Sequence, residues 1–250
     1  MRVRFLGAHN TETCSVRLPG VLVDGILALD AGSLGVLSAQ EQLGLKAILL
    51  THQHFDHLRD LPILGMNLFL NGAGVAVYGL PEVQSIITKH LLNGSLYSRF
   101  MESSIMNFCP IIPGVSFLVG EYSILPVAMR HSVPAVGYEI RTDSRRLFYS
   151  GDTGPGLSSV WKHLNPDVII IEVTSSNHWT DFALKAGHFT PALLKDELAI
   201  LRELKGYIPP VFTIHMNSFV EDDIQTELAE VAHALHCSIT PAHEGMEIEA

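Results

Sequence analysis

The chain has 250 residues, 47% of them hydrophobic, and 26 acidic residues against 16 basic ones give a formal net charge of −10. With no Pro-, Gly- or Ser-rich linker to divide it, we predict one domain over residues 1–250. The acidic balance argues against a general nucleic-acid binder, which needs a basic face. The chain shows no signal-peptide pattern and no apolar run of about 18 residues, so we expect a soluble, cytoplasmic protein with no membrane partner.

Apolar segments of strand type recur along the chain, and segments with helical periodicity stand between the later ones. The predicted strands are 2–6, 21–30, 47–50, 75–78, 116–118, 123–129, 136–141, 147–149, 168–172, 211–214 and 246–249. The predicted helices are 81–92, 157–164, 191–204 with Thr190 as N-cap, and 224–235. No internal repeat of fixed period is visible. The pattern alone indicates α/β or α+β, and its order fits a four-layer α/β/β/α sandwich of two mixed β-sheets.

Cysteine usage points away from disulfides. Cys14, Cys109 and Cys237 are far apart in the chain and form no CxxC pair. We therefore expect three reduced thiols in the core.

A dense group of potential metal ligands follows the predicted strand 47–50. His52, His54, Asp56 and His57 fall within six consecutive positions. Imidazole suits zinc, iron and related metals, and a carboxylate adds the negative charge that a second cation needs. Histidines that only pack are normally scattered, so this spacing indicates a site for two cations side by side.

Three further candidate ligands follow later predicted strands. His131 comes after strand 123–129, Asp152 lies in a Ser-Gly-Asp-Thr-Gly turn after strand 147–149, and His215 follows strand 211–214. A residue at a strand end can direct its side chain into a cleft. Each has an ordinary alternative, such as turn capping for Asp152. With the first group they make five histidines and two aspartates, which is the inventory of a binuclear site.

The order HxHxDH, His131, Gly151-Asp152-Thr153 and His215 resembles the metallo-β-lactamase superfamily of dinuclear hydrolases over nearly the whole chain. The resemblance implies the metallo-β-lactamase fold and two divalent metal ions, with Zn²⁺ expected and Mn²⁺ or Fe²⁺ as alternatives. It implies His52, His54 and His131 at the first metal, Asp56, His57 and His215 at the second, and Asp152 as the bridge. Segment 27–32 is similar to the superfamily's LxDAG strand, where Asp30 is a candidate hydrogen-bond partner of a ligating histidine.

The region around His188 distinguishes branches of the superfamily. The segments IEVT (171–174), GHFTP (187–191) and EL (197–198) are similar to those of class II cyclic-nucleotide phosphodiesterases. This implies hydrolysis of a cyclic nucleotide or a similar small anionic phosphodiester by a metal-bridging hydroxide. Asp56 would orient the hydroxide, and His188 would protonate the leaving oxygen or clamp the phosphate. The alternative for His188 is that it only packs or caps at the start of the next helix.

Other functions remain open. Transfer RNA 3′-processing nucleases (RNase Z) share the ligand order but carry a long arm before the GDT motif. Here His131 and Asp152 are 21 residues apart, which leaves room for a two-strand hairpin only. With the acidic charge, this leads us to expect no nucleic-acid partner. A lactonase- or thioesterase-type hydrolase would use the same ligands. A non-catalytic metal-binding member should have lost a ligand, and all seven are present.

Segment 93–114 is apolar without a clear period. It could form a lid or the contact of a homodimer, and its sequence does not distinguish the two.

Overall fold

The computed structural model describes residues 1–250. Its fourteen strands are β1 (Arg2–Gly7), β2 (Gly20–Val23), β3 (Leu27–Leu29), β4 (Ala47–Leu49), β5 (Val75–Gly79), β6 (Met106–Pro110), β7 (Phe117–Val119), β8 (Tyr122–Met129), β9 (Ala135–Arg141), β10 (Arg146–Tyr149), β11 (Val168–Glu172), β12 (Val211–Ile214), β13 (Ile239–Pro241) and β14 (Glu247–Glu249). The α-helices are α1 (Ala39–Gly44), α2 (Leu61–Leu70), α3 (Pro81–Ile86), α4 (Ser158–His163), α5 (Thr180–Ala186), α6 (Pro191–Lys205) and α7 (Glu221–Leu235). None of these helices has the length and apolar character needed to cross a bilayer.

The strands form two mixed sheets of seven, ordered β14-β1-β2-β3-β4-β5-β6 and β13-β12-β11-β10-β9-β8-β7. In the first sheet β1 to β3 are antiparallel and β3 to β6 are parallel. In the second sheet β7 to β10 are antiparallel and β10 to β13 are parallel. Helices connect the parallel strands in both, as a parallel connection requires. The chain therefore repeats one topology in two halves, although no sequence period reveals it.

The core has two parts, and alternation along the strands separates them. Leu147 and Tyr149 of β10 belong to a cluster that lies between the sheets, whereas Phe148 faces the helices that cover the second sheet. There the Phe148 ring meets Trp161 of α4 edge-on, with ring centroids 5.5 Å apart. Leu64 of α2 belongs to the same buried cluster as Leu147 and Tyr149. The predicted α/β/β/α sandwich is confirmed.

Several elements differ from the predictions. The predicted strand 21–30 is a hairpin, because Asp24 and Gly25 both adopt left-handed backbone, with φ of 47° and 74°. The Ile26 amide donates to the Val23 carbonyl at 3.1 Å, so Asp24 and Gly25 are the two central residues of the turn. Helices α1, α2 and α5 and strands β6 and β13 were not predicted.

Segment 93–114 contains a strand that was not predicted, and the prediction about the cysteines needs correction. Part of segment 93–114 is strand β6, which pairs in parallel with β5 and closes one edge of the first sheet. The cysteines are free thiols, but Cys14 is exposed and Cys109 and Cys237 are half-buried, so none lies in the core. Each is close to a chain turn or an edge strand rather than a central strand.

Candidate metal centre

Four loops that follow strands bring the predicted ligands together. The loop after β4 carries His52 to His57, and the loops after β8, β10 and β12 carry His131, Asp152 and His215. The first loop comes from one sheet and the other three come from the second. Asp30 and His215 leave their strands in the left-handed region, with φ of 59° and 65°. Non-glycine residues hold that backbone at a cost, which is frequent at functional sites.

One group of nitrogen and oxygen atoms converges around His54. Its Nδ1 lies 3.0 Å from Nε2 of His52 and 3.1 Å from Nε2 of His131. Asp152 Oδ2 lies 3.6 Å from the His52 nitrogen and 3.9 Å from the His131 nitrogen. Ligand atoms on a tetrahedral metal with bonds of about 2.0–2.1 Å stand roughly 3.3 Å apart. The spacing of this group fits one such metal.

A second group converges beside it. His215 Nε2 lies 3.2 Å from Asp56 Oδ2, and His57 Nε2 lies 3.5 Å from the same oxygen. Asp152 approaches this group with both oxygens, Oδ1 at 3.2 Å from His57 Nε2 and Oδ2 at 3.4 Å from His215 Nε2. The carboxylate of Asp152 therefore faces both groups at once.

Asp30 orients two residues of the HxHxDH motif. Its buried carboxylate accepts hydrogen bonds from His57 Nδ1 at 2.7 Å, from the Tyr149 hydroxyl at 2.7 Å, and from the amide and hydroxyl of Thr51. Because the Thr51 hydroxyl donates to Asp30, it accepts from Nδ1 of His52, 2.9 Å away. Both histidines are thereby held as the tautomer whose Nε2 is free for a metal. The contact expected for Asp30 is present.

Glu172 orients His188 directly and His215 through the Thr174 hydroxyl. The Thr174 hydroxyl donates to Glu172 Oε2 at 2.9 Å and so accepts from Nδ1 of His215 at 2.8 Å. Glu172 Oε1 accepts from Nδ1 of His188 at 2.7 Å. His131 donates its Nδ1 hydrogen to the Gly187 carbonyl at 3.0 Å. Every imidazole of the two groups except His54 thus turns Nε2 towards the centre.

Burial and charge set the protonation of these groups. Burial lowers the pKa of His52, His54 and His131, which favours the neutral imidazole that binds metals. Burial would raise the pKa of Asp152, but the surrounding histidines outweigh it and hold the pKa well below its ordinary value. Burial likewise would lower the pKa of His57, yet the Asp152 and Asp30 carboxylates raise it well above 6.5. The buried carboxylates therefore require positive charge at this point.

The donor set fits divalent cations. His57 Nε2 and Asp152 Oδ1 are fully buried and lie 3.2 Å apart, but neither atom forms a hydrogen bond of acceptable geometry. Unpaired buried polar atoms are rare, and an ion is one of the few explanations. Ligand atoms of His52, His54, His131 and Asp152 lie within 4.8 Å of one another, as do those of Asp56, His57 and His215.

All seven predicted ligands and His188 come together. His188 reaches a group of its own with Asp152 and His215, again within 4.8 Å. Its ring does not cap the helix that begins at Pro191, because Nδ1 is bonded to Glu172. Sequence reasoning missed the roles of Thr51, Tyr149, Glu172 and Thr174, which orient the histidines. The available signal was an acidic residue at the end of an otherwise apolar strand, as Glu172 is in VIIIE.

Comparison with known proteins gives a consistent result. The model of the family described as "Beta-lactamase superfamily domain" matches residues 21–216. A 3′,5′-cyclic-nucleotide phosphodiesterase of Aliivibrio fischeri is 28% identical over 186 residues, 65% of this chain and 55% of that protein. A ribonuclease Z of Crocosphaera subtropica is 33% identical over 163 residues, 58% of this chain and 49% of that protein. The chain spans about half the length of these relatives.

Solved structures share the fold at low identity. Unliganded yeast PDE1 superimposes with a TM-score of 0.85 at 15% identity, covering 100% of this chain and 99% of that one. The short form of human tRNase Z superimposes with a TM-score of 0.73 at 19% identity, covering 100% and 99%. At these identities the likeness concerns the fold alone.

Proposed function

The chain belongs to the beta-lactamase superfamily, and from that membership we propose that it is a dinuclear metal-dependent hydrolase. Its metal ligands would be His52, His54 and His131 in one site, Asp56, His57 and His215 in the other, and Asp152 between them. The buried His57 Nε2 and Asp152 Oδ1, neither of which forms a hydrogen bond, support this assignment. Zn²⁺ suits the imidazole-rich set, and Mn²⁺ or Fe²⁺ would be accepted by the same ligands.

We propose a small phosphodiester, and a cyclic nucleotide first, as the substrate. The observation that carries this is the position of His188, within 4.8 Å of both Asp152 and His215 and anchored to Glu172 at 2.7 Å. An anchored imidazole beside two cation sites suits a reaction in which phosphate charge is bound and a leaving alkoxide needs a proton. The similarity to the Aliivibrio phosphodiesterase supports the same substrate class.

In the proposed reaction, the bound cations, Asp56 and His188 would have different roles. Two bound cations would supply an activated water and neutralise charge on the phosphate oxygens. Asp56, with Oδ2 turned towards His57 and His215, would orient the attacking water. His188 has Nδ1 committed to Glu172, which leaves Nε2 to hold a proton for the leaving oxygen. Burial opposes a charged His188, but Glu172 outweighs it and raises the pKa of His188 to about 9.

The test is hydrolysis of 3′,5′-cyclic AMP and cyclic GMP by zinc-reconstituted protein, with chromatography of the product. We expect a nucleoside 5′-monophosphate that disappears in Asp152→Ala. The matched control is Asp143→Ala, because Asp143 lies exposed in the turn between β9 and β10. Metal content is measured in all three proteins.

Absence of turnover in wild-type protein that retains two metals per chain would rule out this substrate class. Lactones, thioesters and RNA 3′ ends would then be assayed. The ribonuclease Z relatives make RNA the first of these. Between His131 and Asp152, however, the structure contains only the hairpin of β9 and β10, as predicted.

A further inference from the structure

A cavity adjoins the first ligand group at His131. Its volume is ≈ 410 Å³, and its lining includes Arg130, His131, Ser132 and Lys185. The Ser132 hydroxyl lies 3.5 Å from Nε2 of His131, the nitrogen that faces His54 and Asp152. A molecule bound at the candidate metal centre could therefore extend past Ser132 into this cavity.

Arg130 is fixed to the loop that carries Asp152. Its amide donates to the Thr153 hydroxyl at 3.2 Å, and its carbonyl accepts from the Gly154 amide at 2.7 Å. Its Nη1 donates to the Pro155 carbonyl at 2.8 Å. Gly156 leaves the space for this guanidinium, since a Cβ there would lie 2.4 Å from Nη1. One of the five guanidinium N–H donors is used, and the others are free to meet a ligand.

Both cations of the cavity lack an acidic partner. Neither Arg130 nor Lys185 forms an ion pair, although the chain carries ten more acidic than basic residues. Side chains of Met129 and Leu184 supply apolar lining beside them. Two unpaired cations on a cavity with an apolar wall attract an organic anion, and a preorganised guanidinium is well suited to phosphate or carboxylate.

We propose that this cavity binds a second anionic group of the substrate, separate from the phosphodiester that is hydrolysed. The inference rests on the proposed function, because it places the scissile group at the metal centre. Arg130 and Lys185 then determine specificity: they select phosphodiesters that carry an additional phosphate or carboxylate over those that carry the diester alone.

The test compares two ligands that differ by one phosphate. Binding of adenosine 3′,5′-bisphosphate and adenosine 5′-monophosphate to the zinc-loaded protein is measured by titration calorimetry. We expect the bisphosphate to bind roughly tenfold more tightly or better, the effect of one or two charge-assisted hydrogen bonds. Arg130→Gln and Lys185→Gln should each reduce this preference to about threefold or less. Arg145→Gln and Lys89→Gln, exposed residues outside the cavity, should retain it.

Equal affinity for the two ligands, or a preference that survives in both Arg130→Gln and Lys185→Gln, would overturn the proposal. Lys185 is exposed on α5, so its variant remains informative even if Arg130→Gln fails to fold. Calorimetry requires no turnover. Hydrolysis of bis(4-nitrophenyl) phosphate, assayed on the same wild-type sample, reports on the phosphodiesterase proposal separately.

Discussion

Oε1 of Glu172 accepts a hydrogen bond from Nδ1 of His188 at 2.7 Å, and Glu172 has no exposed surface. Glu172 also accepts from the Thr153 amide and the Phe189 amide. A single buried carboxylate therefore ties the loop of Asp152 to the segment of His188. The His188 imidazole is therefore positioned by Glu172, and its orientation does not require a bound metal.

Replacement of His188 by Ala is expected to lower kcat by about 10²–10⁴-fold, the usual contribution of a positioned acid or base. Metal content should be unchanged, because the other seven side chains complete both groups. Turnover and metal per chain are measured together, with His243→Ala as the control for loss of an exposed histidine. A parallel loss of metal and activity would show that His188 is structural or a ligand.

Gly187 lies against His131 and accepts a hydrogen bond from its Nδ1, so a side chain at position 187 should displace this histidine. Gly187 has φ of 78°, and a Cβ there would lie 2.9 Å from the His131 Cα. Gly187→Ala should therefore lose about 1–3 kcal/mol of stability from backbone strain and lose metal from the first group as well. Gly206→Ala is a matched control, because Gly206 has φ of 82° with open space around it. If both variants bind metal equally, the contact with His131 is irrelevant to the centre.

Chelation should destabilise the protein. The ligands that we propose include Asp152 and His57, whose buried Oδ1 and Nε2 form no hydrogen bond in the folded protein, and the unfolded chain does not hold the ligands together. Bound metal should therefore stabilise the folded state. The melting temperature should fall on addition of a chelator and recover with Zn²⁺. Asp152→Ala should show little further loss with chelator, whereas Asp143→Ala should behave as wild type. An unchanged melting temperature in wild type would contradict metal binding at this cluster.

His9 and Glu244 predict a pH dependence of stability away from the centre. His9 is 2% exposed, with Nδ1 2.8 Å from Glu244 Oε1 and Nε2 3.2 Å from Glu221 Oε2. Burial lowers the pKa of His9, but the bonds to Glu244 and Glu221 outweigh it and raise the pKa above 6.5. Burial raises the pKa of Glu244, but His9 and the Arg17 amide outweigh it and lower the pKa below 4.5.

The direction of the pH dependence of stability follows from the pKa shifts of His9 and Glu244 between the unfolded and folded states. The His9 contribution is complete below pH 6.5 and is lost as pH rises through the raised pKa of the folded state. The Glu244 contribution is complete above pH 4.5 and is lost as pH falls through the lowered pKa. Their overlap is pH 4.5 to 6.5. His9→Asn should therefore reduce the free energy of unfolding in urea more at about pH 5.5 than at about pH 9, in metal-free protein. His233→Asn, at an exposed site, is the control, and an equal reduction at both pH values would refute the ion pair.

The sequence predicted those parts of the candidate site whose residues are close together in the chain or lie at the ends of strands. The HxHxDH motif predicts its own cluster, because four ligands on one short loop cannot lie far apart. His131, Asp152 and His215 were predicted from the ends of apolar strands, which is where loops carry function. The orienting residues were not predicted, because Tyr149 reaches Asp30 from the opposite sheet, 119 positions away. Only the packing of the two sheets creates that contact.

The missed elements have similar causes. Helix α2 reads LPILGMNLFL and is apolar on nearly all sides, so it has no helical period to detect. Strand β6 contains Asn107 and ends at Pro110, and both residue types are rare in strands. The strand forms because it pairs with the exposed edge of β5. Helix α1 was detectable, since Ser38 and Glu41 form a capping box that is visible as S-x-x-E.

Both halves of the repeated topology contribute ligands to the proposed metal centre. Four of the proposed ligands come from the half that ends with β6, and His131, Asp152 and His215 come from the half that begins with β7. Neither half alone carries a complete set for the first cation. The proposed activity would therefore require both halves to be folded and packed against each other. Cations bound by ligands from both halves would stabilise the packing of the halves. Packing of the halves would in turn complete the proposed metal centre.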